Sequence, residues 1–220
     1  MKIYCAGPLF NQSERDEMTA IADALIAAGF TVYLPHRDGM EFRLVHEVLI
    51  GRGWEPAVAG QFLHEAIFAL DVFQLAIDCG AMVWNLNGRV PDEGAVAEAA
   101  MVWTLGKPLV AYRDDVRSMI AGRVNPLLAG MVDFTWAETI DAIVPTLREL
   151  MLRESAAANN LDQLSPRMSR AASDGAVLWK QLQTQNATCD NEQLADCVTD
   201  LFAPSTHQLS RRSEARRVLH

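Results

Sequence analysis

Apolar positions along the chain change their period several times, and each change marks an element. Lys2 to Ala6 is an apolar run stopped by Gly7-Pro8, which reads as a strand followed by a breaker. Met18, Ile21, Ala22, Leu25 and Ile26 then recur at helical spacing. Ser13 is the expected N-cap of that helix, Asp16 its N3 partner, and Gly29 its C-cap. Phe30 to Leu34 is a second strand ended by Pro35, so the first third predicts a βαβ unit and a parallel sheet. Met40 to Ile50 has helical character, but Gly51, Gly53 and Pro56 interrupt it and suggest a lid or insertion. Phe62 to Ile77 reads as a helix.

The second half repeats the alternation. Ala81 to Trp84 is a third strand of the buried type, Ala95 to Leu105 a helix of small and straight-chain residues, and Leu109 to Tyr112 a fourth strand after Gly106-Lys107-Pro108. Met131 to Trp136 is expected as a short fifth strand, and Thr139 to Arg153 as a helix. Past Glu154 the character changes. Ala156 to Asn160 resembles a linker, Ala171 to Gln183 and Asn191 to Phe202 are weakly amphipathic helices, and Arg211 to Arg217 is a basic, solvated end. The pattern predicts an α/β domain over residues 1–153, a parallel sheet flanked by helices, and a helical extension over residues 154–220. No repeat of fixed period is present.

Between the third strand and its helix lies Asn85-Leu86-Asn87-Gly88-Arg89-Val90-Pro91-Asp92-Glu93-Gly94, a turn dense in polar groups. In open α/β sheets, ligands bind outside the carboxyl ends of the strands, where such turns sit. A helix starting near Glu93 makes Asp92 its N-cap and puts Glu98 one to two turns in. Helical side chains lean toward the N-terminus, so Glu98 points back toward the same crevice. Two carboxylates then face one small pocket. The glycine spacing fits neither a P-loop nor a dinucleotide fingerprint. Acidic groups between Gly88 and Gly94 repel phosphate, which counts against ATP or NAD and favours a neutral sugar.

Composition narrows the picture further. At 220 residues the chain buries roughly 70% of its unfolded surface and needs neither disulfides nor a metal to hold a core. A net charge of −9 argues against a nucleic-acid binder, which carries a basic stripe. Cys5, Cys79, Cys189 and Cys197 lack paired metal spacing and are read as reduced, cytosolic thiols. His36, His46 and His64 form no metal-ligand spacing either. No apolar run is long enough for a bilayer, and the strand-like opening is expected to be without a secretory signal, so a cytoplasmic protein is expected.

Several separated motifs carry a resemblance. Tyr4-Cys5-Ala6-Gly7-Pro8-Leu9-Phe10, then Asn87 to Gly94 with Glu98, then Gly106-Lys107-Pro108 resemble the nucleoside 2-deoxyribosyltransferase family in the family's order, over roughly Met1 to Phe134. The resemblance implies a flavodoxin-like or Rossmann-like α/β fold. It also implies an enzyme that cleaves the N-glycosidic bond of a 2′-deoxynucleoside and passes the sugar to another base. In its terms Glu98 is the nucleophile and Tyr4 orients its carboxylate. Asp92 binds the sugar 5′-hydroxyl with Asn125 lent by a neighbouring subunit, and Asp71 assists protonation of the base. Asp71 stands one residue short of the family's spacing to Asp78. Gly7, Phe10, Gly88 and Arg89 are the further substrate-binding positions, Phe10 as a surface for the base. The implied partners are a deoxynucleoside, a free nucleobase and further copies of the chain, in nucleotide salvage, with no metal or organic cofactor.

The residue types suit that chemistry in their own right. Breaking an N-glycosidic bond leaves positive charge on the sugar and negative charge on the departing base. A carboxylate under the anomeric carbon stabilises or traps the first, and an acid must protonate the second. Two other readings stay open at this level. One is hydrolysis of deoxynucleosides or their 5′-monophosphates; the other is a non-catalytic nucleotide-binding module with the C-terminal helices as its partner-binding arm.

Overall fold

Four short strands form one parallel sheet in the order β2-β1-β3-β4: β1 (Lys2–Ala6), β2 (Thr31–Tyr33), β3 (Ala81–Asn85) and β4 (Leu109–Tyr112). The computed structural model describes residues 1–88, 90–115, 124–154, 164–183 and 191–203. β1 pairs with β2 on one side and β3 on the other, so the chain reverses its direction of travel across the sheet at β1/β3. That reversal opens a crevice at the carboxyl ends of the two strands. The α/β class and parallel sheet expected from the alternating pattern are what the chain adopts.

Period-two alternation sends side chains of the buried strands to two different cores. Ile3, Cys5, Val83 and Val110 face helices α1 (Gln12–Ala27) and α7 (Ile140–Glu154). Tyr4, Ala6, Met82, Trp84 and Ala111 face the other way, toward α5 (Glu93–Thr104). A third core joins α3 (Phe42–Gly51), α4 (Pro56–Phe73), α8 (Pro166–Gln183) and α9 (Asn191–Phe202), through Val45, Leu49, Phe62, Leu63, Leu178, Leu194 and Val198. The short helices α2 (Pro35–Asp38) and α6 (Pro126–Gly130) complete the described elements.

Three local expectations are corrected. The cap of α1 is Asn11, with Glu14 at N3, and not Ser13 with Asp16. Asn11 Oδ1 accepts from the Glu14 amide at 3.0 Å and Glu14 reaches back to the Asn11 amide at 3.3 Å. Glu is long enough to close that reciprocal box; Asp16 instead accepts from Gln12 at 2.7 Å. The expected fifth strand is a turn over residues 131–134, with one parallel bridge from Tyr112 to Ala137. Asp133 and Phe134 have φ of 51° and 61°, which no extended strand accommodates. Finally, the interruption at Gly51, Gly53 and Pro56, expected as a lid or insertion, is the junction between two packed helices, α3 and α4. Pro56 occupies the first turn of α4, where its missing N–H costs nothing.

α4 ends in a π-helical turn, Gln74–Asp78, closed by the Cys79 amide donating to the Gln74 carbonyl at 2.8 Å. Such a turn takes in an extra residue relative to a regular α-helix. Its carbonyls find a partner that the sequence did not suggest. Buried Lys107 donates to the carbonyls of Leu75, Ala76 and Cys79 at 2.7, 2.9 and 2.8 Å. A cation at a helix C-terminus also opposes the helix dipole.

α8 crosses α4 at backbone contact. A Cβ at Gly175 would lie 2.0 Å from the Ala69 carbonyl oxygen. Because the obstacle is backbone, no rotamer change relieves it. Gly175→Ala is therefore expected to cost about 1–3 kcal/mol, read as a lower thermal midpoint; an unchanged midpoint would contradict this crossing.

Candidate active site

The crevice face of β1 carries Tyr4, fully buried between β2 and β3. Its hydroxyl donates to Glu98 Oε1 at 2.6 Å, joining residues 94 positions apart. Glu98 reaches this place because α5 starts where the turn's chemistry starts it. Asp92 is the N-cap, its Oδ2 accepting from the Ala95 amide at 2.7 Å. Glu98 then lies on the second turn, leaning back toward the sheet. Asp71 comes from α4 and interacts with Tyr4 and Glu98.

Electrostatics set these groups apart from surface carboxylates. Burial pushes the Glu98 carboxyl up to about 8; charge on Asp71 adds to the rise and the Tyr4 bond opposes it. Burial pushes Asp71 up to about 7, with the Tyr4 hydroxyl again opposing. Tyr4 itself is raised well above an ordinary phenol, first by burial and then by the carboxylates, so it remains a donor. Both carboxyls are raised toward neutrality by burial, and the titration of such coupled groups belongs to the pair. Perturbed groups gathered in one place mark a candidate functional site.

The other expected positions fall in different places. Asp92 is close enough to Glu98 to raise its carboxyl while capping α5. Gly7 is a packing position: a Cβ there would meet Met18 Sδ at 2.6 Å and Asn85 Cβ at 2.7 Å. Gly88 has a φ of +110°, which the turn after β3 requires. Phe10 is 78% exposed, so core packing does not account for it. Asn125 is exposed on α6, and its Oδ1 caps that helix through the Leu127 amide at 2.9 Å. Arg89, Cys189, the Ala156–Asn160 linker and the basic end at Arg211–Arg217 lie outside the described residues.

Sequence reasoning missed the frame behind the turn. Asn87 Oδ1 accepts from the amides of Asp114 and Asp115 at 3.0 Å each, tying the ends of β3 and β4. Its Nδ2 donates to Asp114 and to Glu17 of α1, and Asn85 donates to Glu17 at 2.7 Å. Beside this frame a cavity of about 490 Å³ is lined by Glu14, Glu17, Gly88, Asp114 and Asp115 among others. The Asn-Leu-Asn-Gly string was the available signal, since amide side chains at a strand end commonly hold turns. Tyr33, whose ring lies 5.3 Å from that of Tyr4, was also missed.

Among the described residues no three His, Cys, Asp or Glu side chains are grouped to hold a metal ion, and no helix is long and apolar enough to cross a membrane. The family model described as nucleoside 2-deoxyribosyltransferase matches residues 3–161. A solved structure titled as a conserved protein from Enterococcus faecalis V583 aligns with a TM-score of 0.47 and 16% identity, covering 68% of this chain and 98% of that one. Comparison with curated proteins finds no match.

Proposed function

The chain belongs to the nucleoside 2-deoxyribosyltransferase family, and from that premise we propose that it moves 2-deoxyribose between nucleobases through a covalent glycosyl-enzyme on Glu98. The observation that carries this reading is the 2.6 Å bond from buried Tyr4 to Glu98, beside the second raised carboxyl of Asp71. In the first step a Glu98 oxygen bonds to the anomeric carbon as the N-glycosidic bond breaks. The bonding electrons leave with the base, and Asp71 supplies the proton that neutralises it. In the second step a nitrogen of the incoming base attacks the same carbon, returns a proton to Asp71 and frees the Glu98 carboxylate. Two displacements give net retention. Tyr4 holds the carboxylate in line throughout. Asp92 is assigned to the sugar 5′-hydroxyl, with Asn125 of a second copy completing the site.

A purely binding module leaves two desolvated carboxyls without a task, at a standing cost in stability. The test is incubation with deoxyinosine and free adenine. Deoxyadenosine and hypoxanthine are the expected products, and release of 2-deoxyribose alone would replace transfer by hydrolysis.

The pair also predicts a pH profile. Nucleophile and acid together need one proton, so kcat/KM is expected to peak between about 7 and 8. Glu98 holds its proton more tightly than Asp71, so the competent arrangement, Glu98 ionised and Asp71 protonated, is the minority form of the one-proton pair. It falls on the acid side as Glu98 is neutralised, and on the alkaline side as Asp71 loses the proton for the departing base. A profile flat from pH 6 to 9 would contradict the assignment of both roles.

A further inference from the structure

Helix α8 lies beyond the stretch that the family model matches, yet it packs on the helix that carries Asp71 and on the ring beside Tyr4. Gly175 is seated on α4, where a Cβ would fall 2.0 Å from the Ala69 oxygen and 2.6 Å from Phe73 Cβ. Ala69 and Phe73 share one face of α4; Asp71 lies between them in sequence, on the same turn but on the other face. One turn along the same face of α8 comes Trp179, since residues four apart on a helix are neighbours. Its ring meets Tyr33 edge-on at 5.7 Å, and Tyr33 lies 5.3 Å from Tyr4, the donor to Glu98. On the other side Lys2 Nζ stands 3.9 Å from the centre of the indole, fixed by Gln74 at 2.9 Å and Asp78 at 2.7 Å. Half-buried Trp179 packs against both the sheet core and the core of α3, α4 and α9.

We propose that α8 is a working part of the site: Trp179 is a positioning residue that holds Tyr4 through Tyr33, and the Gly175 contact seats the turn of α4 that carries Asp71. The proposal rests on Glu98 and Asp71 being the reacting pair. The Tyr4 backbone is locked in the sheet, so its hydroxyl reaches Glu98 only while the ring keeps its tilt. The ring of Tyr33 limits that tilt, and the edge of Trp179 limits Tyr33. Removing the indole opens space behind Tyr33, lets both phenol rings relax and admits water to the carboxyls.

The test uses the full chain with Trp179→Ala and Trp179→Phe. Two readouts are followed: turnover, and titration of the carboxyls by ¹³C NMR. The carboxyls titrated, Asp71 and Glu98, face Tyr4 and Tyr33 on the sheet side and Asp92 at the start of α5. In Trp179→Ala the pair is expected to titrate about half a unit or more closer to ordinary carboxylates. Its kcat is expected to fall about 10- to 100-fold, as for a misplaced reacting group, with KM within about twofold. Trp179→Phe, which keeps an aromatic edge, is expected to restore most of both. An alanine variant that melts cooperatively with wild-type titration and wild-type kcat would overturn the proposal. Should that variant not fold, Trp179→Leu fills the space without an aromatic edge and is judged by the same two outcomes. Absence of turnover in the unsubstituted protein would remove the functional reading instead, while the NMR titration would still decide the role of α8.

Discussion

Replacing Glu98 by Gln is expected to lower deoxyribosyl transfer by a factor on the order of 10³ or more and, in the same variant, to raise thermal stability at pH 8. The loss follows because an amide cannot displace the base and be released again. The gain follows from linkage. Burial holds the Glu98 carboxyl near 8 in the folded chain, against roughly 4.3 when unfolded. The folded state therefore binds the proton more tightly, and the stability this confers is fully present below the unfolded value. It is lost as pH rises through the folded value, so the wild type carries the full cost above about 8. Gln has the same shape, still accepts from Tyr4 and never ionises. A gain of about 1 kcal/mol corresponds to about 2–4 °C in a chain of this size. The expected outcome is thus a higher midpoint at pH 8, little change at pH 4, and transfer lowered on the order of 10³-fold or more at pH 8. Transfer near the wild-type rate would end the assignment of Glu98; equal midpoints at pH 8 would mean that the carboxyl is not desolvated.

Lys107→Met is expected to destabilise the chain by about 3 kcal/mol, a fall in midpoint of about 6–12 °C. Methionine fills nearly the same volume, so the comparison isolates the ammonium group. Three carbonyls at the end of the π turn, bonded at 2.7 to 2.9 Å, are left buried without a donor. They also lose the cation facing the helix dipole. Lys107→Arg is expected to fare little better, because a planar fork does not fit between three convergent oxygens. Thermal unfolding of both variants measures the effect. A midpoint within about 2 °C of the wild type would show that water takes over the three bonds.

The strands and the principal helices were legible because their causes are local. Breakers such as Gly7-Pro8 and Gly106-Lys107-Pro108 stand where strands and helices stop, and the change from period two to helical spacing marks what lies between. The relation of Asp92 to Glu98 was legible for the same reason, since cap and second turn belong to one helix. Where the next competing local choice was close, the reading failed. Asn11 displaced Ser13 as a cap, and left-handed residues at 133 and 134 replaced an expected strand.

By itself, then, the amino-acid order determined the α/β alternation, the polar turn and the family resemblance, all of which need only neighbours within a turn or a strand. The resemblance paired Tyr4 with Glu98, but only the tertiary structure shows how a phenol meets a carboxylate 94 residues away, across β1 and α5. The same holds for Lys107 closing the end of α4, and for α8 standing behind the site through Gly175 and Trp179. Those contacts depend on which surfaces the sheet brings face to face. Burial, which raises the two carboxyls, exists only after that closure, so no spacing along the chain could have disclosed it.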